Sequence, residues 1–111
     1  MRSDKRITLK IGYKDYDMFF VKKIDGGATL GDCENNDGTR GVIRIAKGQR
    51  KVEKANVILH EILHAIVYTQ GLKINDKEEE KIVLALTNGL IDFMKENPKV
   101  IKSLASLLRK S

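Results

Sequence analysis

The sequence predicts an α+β domain: a small, mostly antiparallel sheet of three or four strands comes first, and three helices follow, the first of them central. Two observations carry this. Apolar residues recur with a period of two through residue 46, and with a helical period after Lys47-Gly48. A third is punctuation, since Gly71, Asn75 and Asn97-Pro98 divide the helical half into segments of about 51 to 70, 76 to 96 and 98 to 109. At 111 residues the chain is long enough for one domain with a real core and too short for two.

In RITLKIGY, Ile7, Leu9 and Ile11 alternate with Thr8 and Lys10, the pattern of a half-buried strand. YDMFFVKKI, from Tyr16 to Ile24, is aromatic and β-branched, and Lys14-Asp15 before it is expected to form the tight turn. Gly26-Gly27 then breaks the chain. ATLGDCE and RGVIRIA flank NNDGT, a turn signal in which Gly38 can take positive φ.

The segment from Lys51 to Gln70 makes a helix of roughly 30 Å. Val57, Ile58, Leu59, Ile62, Leu63, Ala65, Ile66 and Val67 cover most of its circumference, so it is expected to be surrounded by protein. The second helix opens at Asn75, a good N-cap with Glu78 three residues on, and three glutamates suit its positive end. Asn97 is expected to cap the third helix, with Pro98 at its first position. There Val100, Ile101, Leu104, Leu107 and Leu108 form one stripe, with Lys102 and Arg109 outside it.

The net charge is +6. The bases are scattered over Arg2, Lys5, Arg6, Lys10, the run from Lys47 to Lys51, and Lys95, Lys99, Lys102, Arg109 and Lys110, interleaved with acids. Nucleic-acid binding calls for bases gathered on one surface, so dispersed charge reads as solvation. No apolar run approaches the length that crosses a bilayer. Cys33 stands alone, which leaves no internal disulfide, and MRSDKRITLK lacks the apolar stretch of a secretory leader. A cytoplasmic protein is expected.

The chemistry gathers in VILHEILHAIVYTQG, which holds both histidines, His60 and His64, with Glu61 beside the first. Histidines at i and i+4 project from one side of a helix and can hold a zinc ion at about 2.0–2.1 Å each. Glu61, one residue round, reaches past the metal and can act as general base toward a zinc-bound water, passing the proton to the leaving amine. The bland alternative is a pair of neutral core histidines bonded to carbonyls, with Glu61 exposed. A catalytic zinc needs a third protein ligand. With no third histidine, that ligand is an acid or Cys33. Glu79 is the leading candidate, because it shares a face with Ile82, Val83 and Leu86. Glu80 is its main rival, and Glu78 is committed to capping. Cys33 is read as a half-exposed thiol, with a thiolate ligand or a latch as its functional alternatives. Tyr68, one turn beyond His64, is a candidate oxyanion donor, though packing is the commoner use. Asn88 lies in an apolar helix stretch and needs a hydrogen-bond partner, either structural or beneath the metal ligands.

From about Asn56 to Pro98, LHEILHAI, EEEKIVLALTNGL and the closing NP resemble the minimal gluzincin-type metallopeptidases. The likeness is to the short H-E-x-x-H proteins of phages and prophages and, more distantly, to metallopeptidases that cleave phage-type repressors. The resemblance implies a small twisted sheet packed on an active-site helix. It implies zinc held by His60, His64 and a glutamate of the next helix, with Glu61 as general base. It also implies a sheet edge beside that helix that receives the substrate as an added strand, here taken as GVIRIA, Gly41 to Ala46. The C-terminal helix VIKSLASLLRK then becomes either a self-inhibitory or partner-docking element, or an ordinary part of the core. The function expected is that of a zinc metalloendopeptidase acting on a peptide or protein substrate. The alternatives are a catalytically silent relative that serves as a structural, regulatory or binding module, and a basic adaptor.

Overall fold

The computed structural model describes residues 6–110, with only the backbone of Lys110. Arg2 and Lys5, counted above among the scattered bases, lie outside the described residues. Four strands precede three helices: β1 (Arg6–Ile11), β2 (Lys14–Val21), β3 (Gly31–Glu34), β4 (Gly41–Ala46), α1 (Lys51–Thr69), α2 (Asp76–Glu96) and α3 (Pro98–Lys110). The sheet order is β1-β2-β4-β3. β1 with β2 and β3 with β4 are antiparallel, and β2 with β4 is parallel.

The turn between β1 and β2 is Gly12-Tyr13, two residues earlier than the expected Lys14-Asp15. Gly12 sits at φ +62, in the left-handed region that glycine enters without penalty, and a Cβ there would press on Thr69 at the end of α1. Lys14 is therefore the first residue of β2, and it is buried. Its ammonium bonds the carbonyl oxygens of Asn36 and Thr39, so the β3–β4 turn absorbs a charge that would otherwise forbid burial. Of ATLGDCE only the last four residues make strand. Thr29 instead bridges back to Ile24 across a single turn at Asp25–Gly27.

GVIRIA is not the open edge. It is β4, flanked by β2 and β3, and its Ile43 and Ile45 are fully buried. The free edge on that side belongs to β3, which pairs only with β4 and lies against α1. One face of the sheet carries Ile11, Tyr16, Met18, Ile43 and Ile45, and packs on Ala65, Val57, Ile58 and Ile62 of α1. The opposite face carries ion pairs, Arg40 with Asp17 and Arg44 with Asp32.

α1 is central, but it is not enclosed. Sheet and α2 cover it, while Ile66 is 36% exposed and only Glu61, Ala65 and Val67 count as buried. Asn75 caps α2 as expected, accepting from the Glu78 amide at 2.8 Å. α2 buries Val83, Thr87 and Ile91, whereas Ile82 and Leu86, expected to turn inward, are 44% and 52% exposed. Asn97 holds the N-cap position of α3, its carbonyl accepting from Ile101 N with Pro98 first in the helix as expected, while its side chain donates to the Phe93 carbonyl and closes α2. α3 packs on α2 and leaves most of its apolar stripe uncovered, so the expectation of ordinary core packing fails there. No helix among the described residues is long and apolar enough to cross a membrane.

Candidate metal centre

The site is built where α1, the start of α2 and the free edge of β3 converge. Its cleft has a volume of about 380 Å³ and is lined by Gly31, Asp32, Cys33 and Asn35 on one side, and by His60, Glu61, His64, Glu79 and Glu80 on the other. On α1, Glu61 and Ala65 look toward the sheet, while His60 and His64 are turned toward α2, as one helical turn of spacing dictates. Their ring centroids are 4.8 Å apart, edge on.

Three donor atoms meet here. His60 Nε2 and His64 Nε2 are 3.2 Å apart, and Glu80 Oε1 lies 2.9 Å from His64 Nε2 and 3.4 Å from His60 Nε2. Ligating atoms of His60, His64 and Glu80 all fall within 4.8 Å of one another. Donors about 2.0–2.1 Å from one ion in tetrahedral array stand about 3.3 Å apart, so these separations suit a single zinc without rearrangement. Two imidazole nitrogens and a carboxylate oxygen are also the donor set that zinc accepts.

Glu79, the leading candidate for third ligand, sits elsewhere. Its carboxylate is 2.7 Å from His64 Nδ1, on the far side of the ring from the cluster. A carboxylate only accepts, so Nδ1 carries the proton and Nε2 is left with a lone pair facing the Glu80 oxygen. Two acceptors at 2.9 Å repel unless a cation stands with them. Without metal, that cation is the proton of a doubly protonated His64. Burial alone lowers the His64 pKa, yet the hydrogen bonds to Glu79 and Glu80 outweigh it and raise the pKa overall. The cluster is thus arranged to hold positive charge, whether proton or metal ion.

Glu61 is buried, at 7% exposure, contrary to the bland alternative in which it faces solvent. Burial pushes its carboxyl up to about 7; the His64 charge pulls the other way, and Asp32 and Glu80 add to the rise. Close approach of β3 produces this burial. A Cβ on Gly31 would collide with Val57 Cγ1 and lie 3.3 Å from the Glu61 carboxylate, so only glycine lets the strand come this near.

The remaining candidates disperse. Cys33 lines the cleft, its thiol 3.7 Å from Asn35 Oδ1, and burial together with Glu61 and Asp32 pushes its pKa up to about 12. It is therefore a thiol without metal. Tyr68 falls in line with Glu61 and Ala65 on the sheet side, where the Lys14 ammonium lies 5.9 Å from its ring centre. It does not line the cleft. Asn88 finds its partner in Asn56, whose amide donates to it at 3.1 Å, and so ties α2 to α1 one turn before His60.

His60, Glu61 and His64 line the cleft, and the carboxylate that meets the two histidine Nε2 atoms is that of Glu80 rather than of Glu79, the acid ranked first on sequence. The buried face of α2 runs through Val83, Thr87 and Ile91, and Glu80 lies above it at i−3, i−7 and i−11, but its side chain is 58% exposed against 23% for Glu79, so burial alone does not single out Glu80. Gly31, Asp32 and Asn35 carried no sequence signal, because a fold is needed to bring β3 beside α1. Comparison with known proteins finds no matching family model, no matching curated protein and no matching solved structure.

Proposed function

We propose that the chain is a zinc-dependent metallopeptidase of minimal size. The reading rests on one observation: His60, His64 and Glu80 converge on a point beside a buried Glu61 in the wall of the same cleft. When bound, zinc supplies a Lewis acid that polarises the scissile carbonyl and acidifies water. His60 Nε2, His64 Nε2 and a Glu80 oxygen hold the ion. Glu79 fixes His64 in the tautomer that presents Nε2 to the cleft. The Glu61 carboxylate takes a proton from the attacking water as the carbon–oxygen bond forms. It returns that proton to the amide nitrogen as the carbon–nitrogen bond breaks, and the second water proton passes to the released amine, leaving a carboxylate and an ammonium group. The free edge of β3 offers an extended peptide a ladder of backbone partners next to Glu61.

A catalytically silent metal-binding protein is the second reading. Its support is Tyr68, the candidate oxyanion donor, which lies against Lys14 and away from the cleft. Glu61→Gln decides between the two. The proposal expects zinc to be retained and hydrolysis of unfolded polypeptide to fall at least about a hundredfold. A zinc-loaded wild type that cleaves no extended peptide supports the silent reading.

A further inference from the structure

α3 is one-sided, and beyond its contact with α2 most of its apolar arc is exposed. Val100, Leu104, Leu107 and Leu108 share an arc, and they are 45%, 50%, 64% and 73% exposed. Lys99, Lys102 and Arg109 fall outside it, and the helix has no acid. α2 has a matching uncovered flank in Ile82, Leu86, Leu90 and Phe93, at 44%, 52%, 39% and 43% exposure. The spacing of these four keeps them on one side of the helix, beside the buried face. At Asn97 the backbone leaves the helical region, at φ −133 and ψ 56, and α3 departs from the line of α2.

The eight side chains leave roughly 800 Å² uncovered, which is the share one partner contributes to a standard stable interface. We propose that the chain forms an isologous homodimer in which α3 of each copy packs on the uncovered flank of α2 in the other. Charge favours that pairing. α2 carries six acids against three bases, and Glu78 and Glu96 border its apolar flank, whereas two α3 helices packed on each other would bring only like charges together.

The same acids disfavour an anionic lipid surface, and the arc of α3 has no aromatic residue of the kind interfacial helices use. Self-inhibition in cis is out of reach. α2 runs about 25 Å from Glu80 to Asn97, and α3 is only about 20 Å long, so folded back it would stop short of the cleft.

The test is the molar mass of the full chain by sedimentation or light scattering across roughly 1 to 100 µM, with and without zinc. The wild type is expected at twice 12.5 kDa. Leu104→Asp with Leu107→Asp in α3, and Leu86→Asp alone in α2, should each shift dissociation at least tenfold toward higher concentration while helical circular dichroism is kept. Lys99→Glu with Lys102→Glu, at surface positions that do not burden folding, should weaken the dimer in the same direction and give weaker salt dependence. A wild type that stays monomeric throughout overturns the proposal, whether or not it also binds vesicles containing phosphatidylserine. So does a dimer that survives both the α3 and the α2 apolar variants. The readout is mass, so it stands or falls separately from metal binding and hydrolysis.

Discussion

Replacing Glu61 with glutamine should change the pH dependence of stability in the metal-free protein. Folding takes the Glu61 carboxyl from an ordinary value of 4.5 to about 7, so between those values the folded chain holds a proton that the unfolded chain has released. Stability therefore falls as pH rises through that window, and the loss is complete above about pH 7. The shift corresponds to at most about 3 kcal/mol, and to roughly 2 kcal/mol once water in the cleft is allowed for. His64 adds to the decline, because its raised folded pKa gives stability that is full below 6.5 and lost as pH climbs through the folded value. Glu61→Gln keeps the shape and removes the ionisation. The variant should match the wild type near pH 4 and exceed it by about 2 kcal/mol near pH 8, keeping only the histidine part of the slope. Urea unfolding with chelator present, followed by circular dichroism at several pH values, measures this. A difference between the two proteins that does not change with pH would refute the reasoning.

Three further outcomes follow from individual contacts. Thr87 is fully buried and its hydroxyl has no hydrogen-bond partner, so Thr87→Val should raise stability by about 1 kcal/mol in denaturant titration. Gly31→Ala drives a methyl into Val57 and should cost about 1–3 kcal/mol, with most of the loss recovered when Val57→Ala is added. Glu79→Gln weakens the hold on His64 without removing a metal-facing donor. Zinc affinity measured by competition with a chelator should drop about 10–100-fold and binding should persist.

Much of the domain was legible because its signals are local. The shift from a period of two to a helical period, Gly71 at φ +71 and the Asn75 cap all act within a few residues, and the helix bounds fall within one residue of expectation. The strand order was not legible. RGVIRIA reads alike at an edge or in the interior, and only the parallel pairing of β2 with β4 makes it interior. The motif on α1 was plain because both histidines and Glu61 lie within one helical turn. The choice between Glu79 and Glu80 turned on the rotation of α2, and there the exposed Ile82 and Leu86 misled, because hydropathy counted them as core. Those residues belong to the uncovered flank. Hydrophobicity was again a poor guide at α3, whose stripe was readable but whose partner was not.

Zinc content measured on protein purified without added metal tests the central claim most directly, comparing wild type with His64→Ala, Glu80→Gln and Glu79→Gln. The account predicts close to one zinc per wild-type chain, loss in His64→Ala and Glu80→Gln, and weaker binding that survives in Glu79→Gln. Wild-type protein that contains no zinc and takes none up on titration would contradict it, leaving His60 and His64 as a hydrogen-bonded pair held by two glutamates.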